Sequence, residues 1–217
     1  MISAGPRILV ATAVPAERDA VAGSLPPYAD AVAVGVGPAA AAAHTAAALA
    51  RTPYDLVISA GIGGGFHPDA PLGSLVLADE ITAADLGAET PDGFLPVTEL
   101  GFGAVTHRPP LSLVRELAGA CGALTGTVLT VSTVTGSAER AAGLRRRHPR
   151  ALAEAMEGFG VAEAAAAYAL PVLEIRAVSN AVGPRDRAAW RIGEALGALG
   201  SAFGKFAPVL ESWKRHD

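Results

Sequence analysis

Four groups of residues in this chain suit chemistry on a small polar molecule. Met156-Glu157 lies in the Ala-rich stretch Ala-Glu-Ala-Met-Glu-Gly-Phe-Gly-Val-Ala-Glu, and Ser179-Asn180 closes the apolar run 172–178. A carboxylate at 157 can accept hydrogen bonds from two adjacent hydroxyls of a ribose. An unpaired charge in so small and apolar a segment is costly, which gives Glu157 a reason to have a partner. The amide of Asn180 suits the edge of a purine. Gly61-Ile62-Gly63-Gly64-Gly65 follows a buried strand, where glycines let the backbone pass close to a ligand and offer it N–H and C=O groups. Glu17 follows the end of the first strand, where a carboxylate can orient and deprotonate a water. The plain alternative is a first-turn glutamate that favours the helix dipole. A hydroxyl holder, a base reader and a water activator around a glycine-rich turn fit the cleavage of a nucleoside.

Other motifs carry less. Gly35-Val36-Gly37-Pro38-Ala39-Ala40 satisfies the dinucleotide pattern. It follows the second strand rather than the first, and Asp55 begins the next strand instead of ending it, so a tight turn against a neighbour is the better reading. No Walker lysine motif is present. His44, His107 and His148 share no metal-like spacing with carboxylates, and His67 with Asp69 is a weak pair on a loop; no metal and no cofactor is expected. Ser59, Ser132 and Ser179 lack a nucleophile-elbow context. Glu154 and Glu163 are expected to face solvent or structural partners. Arg145-Arg146-Arg147-His148 with Arg150 reads as a solvated helix end, since helix C-termini favour cations.

The elements that must hold these residues follow from the pattern. With 217 residues, 51% of them hydrophobic and 18% charged, the chain can bury a sizeable core as one domain, 1–217, rather than remain disordered. A net charge of −4 argues against a nucleic-acid partner held by phosphate neutralisation. Cys121 is alone, which excludes an intrachain disulfide and fits a reducing cytoplasm. Residues 1–7 lack the pattern of a secretory leader, and no apolar run reaches the ~20 residues of a membrane span. Strands are expected at 7–13, 31–36, 55–60, 75–84, 126–132 and 172–178. Helices are expected at 15–24, 39–51, 111–119, 137–147, 151–169 and 188–206, with 85–110 irregular. Apolar strands alternating with helices imply a mostly parallel sheet covered on both faces.

In this order the motifs resemble the nucleoside phosphorylase superfamily, and within it the hydrolytic branch of methylthioadenosine/S-adenosylhomocysteine nucleosidases and, more closely, futalosine hydrolases. The likeness runs through Val10-Ala11-Thr12-Ala13-Val14-Pro15-Ala16-Glu17, Gly35-Val36-Gly37, the segments 55–64 and 73–80, Met156-Glu157, and Val178-Ser179-Asn180-Ala181-Val182-Gly183-Pro184-Arg185-Asp186 with Trp190. It implies an α/β, single-domain, three-layer sandwich whose central mixed β-sheet, often distorted toward a barrel, is flanked by helices. It further implies that Glu17 activates the attacking water and that Gly63 and Gly64 line the pocket. Val134 and Thr135 would pack on the base, and Met156 and Glu157 would hold the sugar. Assembly as a homodimer or higher homo-oligomer is implied as well.

Asn180 stands where adenine-specific nucleosidases carry an aspartate. An asparagine NH2 donates to the N7 and O6 acceptors of a 6-oxopurine, so the base expected is hypoxanthine. An amide is no general acid, which leaves leaving-group help to hydrogen bonding alone or to Asp186. Arg185 or Arg187 would suit the benzoate carboxylate of futalosine. The segment 77–85 is acidic and lacks the phosphate-binding arginine of the phosphorylases, so water is the expected nucleophile. The alternatives are a methylthioadenosine-type nucleosidase, a phosphorylase, or a binding protein without turnover.

Overall fold

A computed structural model describes residues 5–213; residues 1–4 of the segment 1–7, expected to lack a leader pattern, lie outside them. The chain runs β1 (Ile8–Thr12), α1 (Pro15–Ala22), β2 (Ala29–Ala33), α2 (Pro38–Leu49), β3 (Leu56–Gly65) and β4 (Leu75–Ala83). A hairpin follows, β5 (Gly87–Thr90) and β6 (Gly93–Pro96), then the short β7 (Thr106–His107). The second half comprises α3 (Leu111–Cys121), β8 (Leu124–Thr130), α4 (Ala138–Arg147), β9 (Ala151–Ala155), α5 (Gly158–Ala167), β10 (Val172–Ala181) and α6 (Ile192–Ser212). Among the described residues no helix is long and apolar enough to cross a membrane.

The main sheet is mixed, in the order β10-β4-β8-β9-β3-β1-β2, and β10 also pairs with β3. That extra pairing closes β3, β10, β4, β8 and β9 into a ring, while β1 and β2 extend it as a parallel flap. β3 makes this possible by its length. Its first half pairs β1 along one edge, Gly64 and Gly65 pair β9, and β10 runs along its other edge. The sheet is thus both the barrel-like mixed sheet of the resemblance and the mostly parallel one that strand–helix alternation implies, with antiparallel pairing confined to β10–β4, β3–β9 and β4–β7.

Alternation along the strands divides the core between the two faces. Ile58, Ala60, Leu173, Ile175 and Ala177 pack against Val21 of α1, Leu113 and Leu117 of α3, and Leu199, Phe203 and Phe206 of α6. Val57, Val172 and Val178 face the other way, with Ala41 of α2 and Phe159, Val161 and Ala165 of α5. α2 and α5 approach closely because Gly160 has no side chain; a Cβ there would overlap the backbone of Pro38.

Three expectations are corrected. Residues 151–169 are not one helix: Ala151–Ala155 is a buried strand of the ring, and α5 starts only at Gly158. Residues 61–65 are not a turn but the end of β3, with their backbone largely engaged by β9 and β10. Residues 85–110 contain the β5–β6 hairpin and the β7 edge strand. The basic cluster ends α4 as expected, with Arg145 paired to Asp69 in the loop after β3 and Arg150 paired to Asp79 of β4.

Candidate active site

A cavity of about 300 Å³ opens at the ends of β1, β3, β9 and β10. Glu17, Gly63, Gly64, Val134, Thr135, Met156, Glu157 and Asn180 all line it. Asp186 does not: its carboxylate accepts the backbone N–H of Ala188 at 3.1 Å and caps the short 3-10 turn Arg187–Ala189. Arg185 and Trp190 do line the cavity, with the guanidinium carbon 5.4 Å from the centre of the Trp190 ring.

Glu17 is buried at the third position of α1, which places its carboxylate back over the helix start. Oε2 accepts the N–H groups of Ala13 (2.9 Å) and Val14 (3.3 Å), and Oε1 accepts that of Ile62 (2.9 Å). The helix-start role of a first-turn glutamate is therefore real, and it coexists with a place in the cavity. A carboxylate has about four lone-pair directions. Three are taken, and the one remaining belongs to Oε1.

Glu157 immediately precedes α5. Its Oε1 accepts Gly37 N–H at 3.2 Å, and Oε2 accepts Arg176 Nη1 and Met156 N–H, both at 3.3 Å. The Gly35–Gly37 turn serves this contact. Both glycines have positive φ, +91° and +89°, a conformation only glycine adopts readily. The dinucleotide-like motif is thus a turn aimed at a neighbouring carboxylate.

Arg176, 1% exposed, ties the site together. Its Nε donates to Glu174 Oε1 (2.8 Å), Nη1 to Glu157 and Nη2 to Ser59 Oγ (2.9 Å). Burial works against its charge, but Glu174, Glu157 and Glu17 outweigh that and hold its pKa above the ordinary value. Gly61 leaves room for this cluster: a Cβ there would lie 2.6 Å from both Arg176 Nη1 and Glu17 Oε1.

Asn180 owes its orientation to a β-bulge. β10 and β3 stay in register to Val178↔Gly63, and then Asn180, not Ser179, pairs with Gly64. One extra residue inverts the alternation, so Asn180 leaves the strand face that carries Glu174 and Arg176. Ser179 Oγ donates to Asn180 Oδ1 at 2.9 Å, and Nδ2 donates to Ala181 O at 3.0 Å. The oxygen is held by its neighbour, and one Nδ2 proton is left to donate.

Glu154 is a further cavity residue. Rather than facing solvent, it is buried and accepts Thr135 N–H at 2.8 Å and Thr135 Oγ1 at 2.5 Å. Burial pushes its carboxyl up, and the Thr135 bonds oppose that. It thereby fixes the Val134–Thr135 segment that lines the cavity. Glu163 pairs with His107 at the surface, as expected of a structural partner.

Residues 14–207 match the sequence model of the Phosphorylase superfamily, and the chain belongs to that superfamily. It is 68% identical to the futalosine hydrolase of Streptomyces coelicolor, across 97% of this chain and 99% of that one. Identity with the futalosine hydrolase of Acidothermus cellulolyticus is 47%, across 90% of this chain and 88% of the relative. Among solved structures, S-adenosylhomocysteine nucleosidase from Streptococcus pyogenes in complex with 5-methylthiotubericidin aligns with a TM-score of 0.84, over 97% of this chain and 99% of that one. At 16% identity that likeness bears on the fold.

Proposed function

We propose that the chain hydrolyses the N-glycosidic bond of futalosine, releasing hypoxanthine and dehypoxanthine futalosine, an intermediate of menaquinone biosynthesis. The observation that carries this reading is the convergence of the Glu17 and Glu157 carboxylates and the Asn180 amide on one cavity. The two futalosine hydrolase relatives support the choice of substrate.

In this mechanism Glu17 takes a proton from a water through the free lone pair of Oε1, and the water oxygen bonds to the anomeric carbon. The carbon–nitrogen bond breaks and its electron pair leaves with the base, which takes up a proton from solvent while Glu17 returns its own to solvent. The sugar passes through an oxocarbenium-like state. Glu157, with Oε2 taken by Arg176 and Met156, accepts a sugar hydroxyl at the remaining lone pair of Oε1 and lies near the developing positive charge. Val134 and Thr135 pack on the base, with Gly63, Gly64 and Met156 completing the walls. The free Nδ2 proton of Asn180 meets N7 or O6, where negative charge develops as the bond breaks. Leaving-group assistance by this hydrogen bond suits the position of Asp186, whose carboxylate is committed to capping a turn. Arg185, against Trp190, provides a guanidinium for the benzoate carboxylate.

The chain works as one domain without a cofactor, in the cytoplasm, as a homodimer or higher homo-oligomer. Exposed apolar residues such as Val36, Leu100 and Phe102 support pairing of copies. The test is chromatography of products after incubation with futalosine and with methylthioadenosine, each with and without phosphate. Phosphate-independent hypoxanthine release is expected. Faster adenine release, or a phosphate-dependent sugar 1-phosphate, would refute the reading.

A further inference from the structure

Glu174 is a buried carboxylate that neither water activation nor sugar binding uses. It sits on β10 with no exposed surface, two residues before Arg176 and therefore on the same strand face. Oε1 accepts the Arg176 Nε–H at 2.8 Å, and Oε2 has no hydrogen-bond partner among the described residues. An acid in such a position is costly to keep. The fold nonetheless reserves space for it: a Cβ on Gly158, the first residue of α5, would overlap both carboxylate oxygens.

We propose that Glu174 is a positioning residue that fixes the rotation of the Arg176 guanidinium, so that Nη1 is held toward Glu157 and Glu17. The proposal rests on the reading of those two residues as catalytic and sugar-binding groups. A guanidinium is a planar fork, and bonds on three different nitrogens fix its plane. Here Nε is held by Glu174, Nη2 by Ser59 at 2.9 Å, and Nη1 by Glu157 at 3.3 Å. The Glu157 bond is the longest of the three, and longer than the usual N–H···O range, so it is the least able to orient the group alone. Across the space kept open by Gly61, Nη1 also faces Glu17 Oε1.

The charges agree with that role. Glu174, Glu157 and Glu17 all act on one guanidinium. Burial pushes the Glu174 carboxyl up, with Arg176 opposing and Glu157 reinforcing the rise.

The experiment compares kcat, KM and thermal melting of wild type, Glu174→Leu and Glu174→Gln with futalosine, alongside Glu17→Gln. Glu174→Leu is expected to lose at least tenfold in kcat, with a smaller rise in KM. Glu174→Gln, whose carbonyl oxygen accepts the same N–H, is expected within threefold of wild type. A folded Glu174→Leu with wild-type kcat overturns the proposal, as does a folded Glu174→Gln as impaired as the leucine variant. Should Glu174→Leu not fold, Gly158→Ala displaces the same carboxylate. A tenfold kcat loss there supports the proposal, and full activity overturns it. Wild type that releases no hypoxanthine, or Glu17→Gln at full rate, overturns the underlying reading and the proposal with it. If wild type is active and Glu17→Gln is not, failure of the Glu174 variants counts against the positioning role alone.

Discussion

Replacing Asn180 by aspartate exchanges a two-proton donor for a group with at most one proton, at a position where two are needed. In the native site Ser179 Oγ holds Oδ1, one Nδ2 proton goes to Ala181 O, and the other is left to donate. In Asn180→Asp, Ser179 still finds its acceptor. Oδ2 then takes the place of Nδ2, 3.0 Å from the Ala181 carbonyl oxygen, so two acceptors oppose each other unless the acid is protonated. A protonated aspartate supplies its single O–H to Ala181 or to the purine, but not to both. One hydrogen bond is lost with its partner left unpaired, at a cost of about 1–3 kcal/mol. At 1.36 kcal/mol per decade, that is roughly a 5- to 160-fold loss in kcat/KM for a 6-oxopurine nucleoside. Adenine presents an acceptor at N7 and a donor at its 6-amino group, and a protonated carboxyl offers the matching donor and acceptor. The ratio of hypoxanthine to adenine release, from futalosine and methylthioadenosine, should therefore fall at least tenfold. Chromatographic initial rates measure both. An unchanged ratio in a variant that melts like wild type would refute this account of base selection.

Three other perturbations test separate parts of the site. Gly61→Ala pushes a methyl between Arg176 Nη1 and Glu17 Oε1, each 2.6 Å from it. Overpacking of this kind costs about 1–3 kcal/mol, so the melting temperature should fall by roughly 2–12 °C, with kcat reduced far more than KM is raised. Arg185→Ala should raise KM for futalosine about tenfold through the lost charge-assisted bond, and leave a nucleoside without a carboxylate unaffected; equal effects on both would exclude a carboxylate-binding role. Because folding raises the pKa of Glu174, the native state keeps a proton over a pH window in which the unfolded chain has released it. The stability so gained is full below the unfolded value of about 4.3 and is lost as pH rises through the folded pKa, by at most about 1.4 kcal/mol per pH unit. Melting of wild type relative to Glu174→Gln should accordingly worsen from acid to neutral pH, and a pH-independent difference would contradict the assignment. Glu154 shifts in the same direction but is present in both proteins, and so cancels from the comparison.

The parts of the site legible in the sequence are those where a residue type contradicts its local setting. Glu157 among alanines and glycines, Glu17 after a strand and the glycine run at 61–65 all mark the cavity. What the sequence hid is mostly three-dimensional compensation. Residues 151–155 satisfy helix propensity because three alanines, a leucine and a glutamate do so anywhere. Pairing between β8 and β3 overrides that preference. Glycines at 158 and 160 were the available signal that a continuous helix would be poorly served there. The run 61–65 reads as a turn because glycine usually marks one. Here each missing side chain instead admits a neighbour, as at Gly63, where a Cβ would meet the Glu154 carbonyl oxygen at 2.8 Å. Arg176 was visible as a charge in an apolar strand two residues after another, a spacing that puts both on one face. Its link to Glu157 and Ser59 depends on strands distant in sequence. Asp186 shows the opposite failing: proximity along the chain to Asn180 suggested a role, while the intervening turn gave its carboxylate another partner.

Closure of the strand ring has a consequence for the order in which the protein matures during synthesis. β3 leaves the ribosome more than a hundred residues before Val172 and β4 about ninety residues before it, yet both wait for β10 to pair with them. Contacts of such long range form late and leave earlier segments with unpaired edges in the meantime. The strand that completes the ring also carries Arg176, the cation shared by Glu157 and Glu17. Until it docks, the carboxylates of the nascent site have no guanidinium to balance them. Architectural completion and electrostatic completion are therefore a single late event, and a chain truncated before β10 lacks both.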